Sequence, residues 1–130
     1  MHAKVLSTDF WQGPSDHGGH VANPSLQDVA TAIQRLDGKH YTLATLKGDG
    51  DAHLTVGGGA NGQYVVCATF DNVGFFTLVA PGQPDSKVLL CVGGQEGDYS
   101  RNIVVDLPAA LAAAKCFAET GQIDSALQSR

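Results

Sequence analysis

The chain has 130 residues, 43% of them hydrophobic, and sets eight Lys and Arg against thirteen Asp and Glu for a formal charge of -5. Such a length suits one core, so the expectation is a single domain over residues 1–130, with residues 1–20 as an N-terminal arm, that folds without metals or disulfides. The bases are scattered, which excludes the basic face from which a nucleic-acid binder draws its affinity, and the acidic excess favours a cationic partner.

Met1 to His20 holds no apolar run of signal-peptide length, and no later segment approaches the ~18 apolar residues of a membrane span, so the expected location is the cytoplasm, away from membranes. Asp9-Phe10-Trp11 places two large aromatics, including the chain's only Trp, where they would anchor the arm to the core. His17-Gly18-Gly19-His20 brings two histidines together without a third ligand nearby, and no metal or other cofactor is expected. Cys67, Cys91 and Cys116 are odd in number and sit in apolar segments, as free thiols do.

Asn23-Pro24-Ser25 opens the first helix: Pro24 suits a helix start, and Ser25 with Asp28 has the spacing of a capping box. Leu26, Val29, Ile33 and Leu36 then form one apolar stripe before Asp37-Gly38 ends the helix. From His40 the period becomes that of strands. Tyr41–Leu46, His53–Val56, Gln63–Phe70 and Phe75–Val79 are separated by short turns rich in Gly, Asp and Asn. Val88–Val92 is apolar at every position, which predicts a central strand covered on both faces. After the Gly93-Gly94-Gln95 turn the sequence predicts a polar loop through Glu96, Asp98 and Tyr99 and a short strand Ile103–Val105. A capped, Ala-rich helix follows from Asp106 to Thr120, stopped by Gly121, with Leu107, Ala110, Leu111, Ala114, Phe117 and Ala118 on one face. Both helices need an apolar surface, so the predicted fold is α+β: an antiparallel meander of about five or six strands with the two main helices packed on one face.

No recognisable Ser, Cys or zinc signature accompanies the histidines, so catalysis is not expected. The alternative is a small enzyme or ligand-binding domain using His40 or His53 with loop carboxylates, which would require a deep pocket beside an acid.

Gly93-Gly94-Gln95, the acid Asp98 followed by aromatic Tyr99, a strand, and a helix ending Phe117-Ala118-Glu119-Thr120-Gly121 closely resemble the C-terminal half of the Imm1 family of bacterial immunity proteins. Asn23-Pro24-Ser25 opening a helix that ends Leu36-Asp37-Gly38, and Leu54-Thr55-Val56-Gly57-Gly58-Gly59 leading to Tyr64-Val65-Val66, resemble its earlier half, so the likeness spans roughly residues 21–123. Members often carry Pro after the acidic-aromatic pair and a Trp near the C-terminus; this chain has Ser100 and, at the end, Leu127-Gln128-Ser129-Arg130. The resemblance implies a non-enzymatic inhibitor that binds a cognate toxin domain of a polymorphic toxin or secretion system, often a nucleic-acid deaminase; with no catalytic signature in the chain, the expectation is a 1:1 complex that occludes the toxin's active site. Acids concentrated in connections would then meet Arg and Lys of a nucleic-acid cleft. The expected contacts are Glu96, Asp98 and Tyr99, with Tyr99 as anchor, followed by Asp71, Asp49 and Asp51; the alternative is that Asp98 and Tyr99 brace their own loop.

Overall fold

In chain order the elements are β1 (Val5–Thr8), β2 (Trp11–Gln12), β3 (Ser15–Asp16), β4 (Gly19–Ala22), α1 (Leu26–Arg35), β5 (Leu43–Lys47), β6 (His53–Gly58), β7 (Tyr64–Thr69), β8 (Phe75–Leu78), β9 (Lys87–Val92), β10 (Gln95–Ser100), α2 (Leu107–Thr120) and β11 (Leu127–Ser129). The computed structural model describes residues 2–80, 82–122 and 127–129.

The main sheet runs β11-β8-β7-β6-β5-β1-β4, with every neighbouring pair antiparallel. Its centre is the predicted meander, β5 to β8, and the fold is α+β as expected. Within the first twenty residues, where the sequence also allows a strand over Ala3–Leu6, β1 lies inside the sheet between β4 and β5, and β2 and β3 form a small hairpin.

Period-2 alternation divides the sheet's two faces. Leu6, Leu46, Leu54, Val56, Val66 and Leu78 share one core with Val29 and Ile33 of α1 and Ala110, Ala114 and Phe117 of α2, so both helices cover the same face. α1 starts as its sequence requires: Ser25 Oγ accepts from Asp28 N at 3.0 Å and Asp28 Oδ2 accepts from Ser25 N at 2.9 Å. α2 begins with the Asp106 carboxylate capping Ala109 N and ends at Gly121, whose φ of +72° is open to glycine.

The other face is covered in part by the β9–β10 hairpin, through a smaller core of Val65, Val88 and Leu90 with Val92, Tyr99 and Val104 against it. At Gly57 the approach is so close that a side chain would strike Val92. Three expectations fail in this region. Val88–Val92 is one strand of a two-stranded ribbon, not the middle of a sheet: Val88 and Leu90 are buried, but Leu89 is 61% exposed. The expected polar loop is β10, paired with β9 from Gln95↔Val92 to Ser100↔Lys87. Gly93 and Gly94 have φ of +62° and +81°, the backbone of a two-residue turn that folds the chain straight back. The ladder that results overrides the weak strand propensity of Gln95, Glu96, Gly97 and Asp98. Finally, Ile103–Val105 is not a strand: a 3₁₀ turn occupies Arg101–Ile103, and only Val105 pairs, with Tyr64.

Candidate functional site

Because β9 and β10 alternate, their side chains divide cleanly. Val88, Leu90 and Val92 of β9 face the main sheet with Gly97 and Tyr99 of β10, whereas Leu89 and Cys91 face outward opposite Asp98 and Glu96. Glu96 and Asp98 are therefore brought together on one exposed surface, and Tyr99 is not with them. Its half-buried ring packs on the inner cluster, and that burial pushes its hydroxyl above the usual phenol range. Cys91 is also pushed upward, first by burial and then by the nearby carboxylates of Glu96 and Asp9, so its thiol stays protonated at neutral pH.

The tip of this ribbon is fixed by a buried carboxylate that sequence reasoning missed. Asp9, 7% exposed, accepts from Trp11 Nε1 at 2.7 Å, Thr42 N at 2.7 Å, Leu43 N at 3.0 Å and the Thr42 hydroxyl. Having donated its proton to Asp9, Thr42 Oγ1 accepts from Gly94 N at 2.9 Å. The indole of Trp11 lies flush against Gly94, where a Cβ would meet the ring at 2.3 Å. Trp11 thus anchors the hairpin turn as well as its own segment. No local spacing announces this arrangement, since Asp9 and Thr42 are 33 positions apart.

The remaining expected acids lie elsewhere. Register places Gly57 and Val65, beneath the hairpin, at one end of β6 and β7, and His53 and Thr69 at the other. The turns carrying Asp49, Asp51 and Asp71 adjoin that second end, where Asp51, His53 and Asn72 share a small recess of about 190 Å³. Asp71 is occupied by its own turn: its Oδ1 accepts from Gly74 N and Val73 N, both at 2.9 Å, and these bonds hold its pKa below the usual carboxylate value. Asp49 meets Lys4 at 3.4 Å. By contrast, neither carboxylate of Glu96 and Asp98 has a hydrogen-bonding or ion-pair partner among the described residues.

His40 and His53 are not brought together. His40 precedes β5 and stands 3.9 Å from the Asp37 carboxylate, while His53 pairs across from Lys47 at the far end of β5 and meets the Asp51 carbonyl at 3.0 Å. Two clefts, of about 490 and 430 Å³, contain neither of them, nor any of the expected contact residues. Cys67, Cys91 and Cys116 are free thiols, each half-buried. No helix among the described residues is long and apolar enough to cross a membrane.

No curated protein and no solved structure matches the chain. A family model does: that of immunity protein Imm1 matches residues 17–130, which takes in α1, the meander, the β9–β10 ribbon and α2. The chain belongs to the Imm1 family of immunity proteins.

Proposed function

We propose that this chain is a non-catalytic inhibitor that binds a cognate toxin domain one-to-one in the cytoplasm and closes its active site. The toxin is a nucleic-acid deaminase, whose substrate strand must lie in a cationic cleft. The observation that carries this reading is the pair Glu96 and Asp98: two carboxylates on the outward face of a braced ribbon, with no task inside the described protein. Fixed carboxylates can meet Arg and Lys with little further ordering, which favours both association rate and complementarity. Asp49, Asp51 and Asp71, at the other end of the sheet, contribute less, because Asp71 already serves its turn and Asp49 already has Lys4. Tyr99 supports the ribbon from beneath.

The test is titration of the toxin domain encoded beside this chain's gene, assayed for deamination of single-stranded DNA. Activity should fall linearly and reach zero at equimolar inhibitor, and the two proteins should co-elute as a heterodimer. Absence of a complex at micromolar concentrations would overturn the proposal. Inhibition that requires only catalytic amounts would point instead to an enzyme.

A further inference from the structure

We infer that Leu89 is the apolar anchor of the toxin contact, directly opposite Asp98 and diagonal to Glu96 on the outer face of the β9–β10 ribbon. The inference rests on the toxin-binding reading of that face. Leu89 is 61% exposed on a strand whose neighbours Val88 and Leu90 are 8% and 2% exposed, so its exposure comes from the register and not from fraying. The register sets it directly opposite Asp98, with Cys91 opposite Glu96 as the next outward pair. One apolar side chain with one carboxylate opposite it and a second on the diagonal, both without a partner among the described residues, matches the usual plan of a contact, an apolar centre within a polar rim. Tyr99, the expected anchor, is turned inward onto the cluster of Val65, Val88 and Leu90 and cannot take this role without leaving it.

The partner this surface fits is a protein presenting a small apolar hollow ringed by Arg or Lys. Lys87 is the one cation that the same outward row carries, at the base of the ribbon opposite Ser100, so the end nearest the Gly93-Gly94 turn is the acidic one. The toxin's basic rim should therefore lie over Glu96 and Asp98, and its hollow over Leu89. Fixing of the turn by Asp9, Thr42 and Trp11 keeps the anchor in place before binding.

The experiment measures binding of the toxin domain from the neighbouring gene to the wild-type chain and to Leu89→Ala, Leu89→Asp and Tyr99→Phe, with melting temperatures for each. Leu89→Ala should weaken binding at least tenfold, mainly by faster dissociation, and Leu89→Asp should weaken it further. Both should melt within a few degrees of wild type, because most of the Leu89 side chain is exposed and it belongs to neither buried core, and Tyr99→Phe should bind like wild type. Wild-type binding with unchanged affinity in a folded Leu89→Asp variant would overturn the anchor while leaving the toxin-binding reading intact. If the wild-type chain itself does not bind, that reading fails and the anchor fails with it. A large loss in Tyr99→Phe with none in Leu89→Ala would return the anchor to Tyr99.

Discussion

Asp9 takes a carboxylate into a site that is 7% exposed and is matched there by donors from Trp11, Thr42 and Leu43. Replacing it by Ala orphans those donors, and Thr42 loses the acceptor that fixes its hydroxyl. At roughly 1 to 3 kcal/mol for a buried donor left unsatisfied, the loss should be on the order of 3 kcal/mol or more, read by urea unfolding. Trp11 fluorescence should report the loosened turn. Asp16 and Asp71, both exposed, also accept backbone N–H groups. Asp71 is held below its ordinary value by the bonds from Gly74 and Val73, and Asp16 by those from Phe10 and Gly18. A depressed folded pKa means that the unfolded chain takes up protons first as pH falls. The stabilisation is therefore complete above the unfolded value of about 3.9 and is lost as pH drops through the lower folded value. Melting temperature should fall below about pH 4, and Asp71→Ala should make that fall shallower. An unchanged slope would show that the turn bonds do not favour the ionised form.

The two helices were legible in the sequence because their signals are local. Ser25 and Asp28 cap α1, Asp106 and Gly121 bound α2, and the apolar stripes face the core, with Leu26, Leu107 and Leu111 only partly buried at its margin. Phe117, wholly buried and edge-on to His2 at 5.6 Å, should cost about 3 to 5 kcal/mol when replaced by Ala, measured by denaturant unfolding. Toxin protection should then fall through abundance, not through lost affinity of the folded fraction. The meander was equally legible from its alternation and short turns. The β9–β10 ribbon was not, for two physical reasons. An unbroken apolar run reads as covered on both faces, yet here only Val88, Leu90 and Val92 have cover and Leu89 does not. And Gln95–Ser100 has little strand propensity, so its conformation comes from the Gly93-Gly94 turn and from pairing with β9. The candidate site followed suit. Charge alone marks Glu96 and Asp98 as exposed acids, and they are exposed on one face, whereas Asp9 depends on contacts distant in sequence and Tyr99 on a register that composition does not give.

Across the whole molecule, the acids expected to meet the toxin fall into two groups at opposite ends of β6 and β7, the ribbon face with Glu96 and Asp98 and the turns with Asp49, Asp51 and Asp71. Net charge steers any acidic protein towards a cationic partner, so a single charge reversal cannot tell a contact from a general field. A matched pair of variants can. Glu96→Lys with Asp98→Lys, and Asp49→Lys with Asp51→Lys, each add four units to the formal charge of -5, leaving about -1 in both. The second pair also breaks the contact between Asp49 and Lys4, but both groups are largely exposed and such pairs contribute little. Exposed charges further apart than about 10 Å are screened at 0.1 M salt, so the two variants should associate at similar, reduced rates only when ionic strength is very low. At physiological salt the ribbon variant should associate at least tenfold more slowly than wild type and dissociate faster, while the turn variant should stay within about threefold of wild type. Stopped-flow association across ionic strength, with melting temperatures to confirm folding, measures both. Equal rates for the two variants at every salt concentration would place the steering in the overall field and remove the ribbon face from the contact.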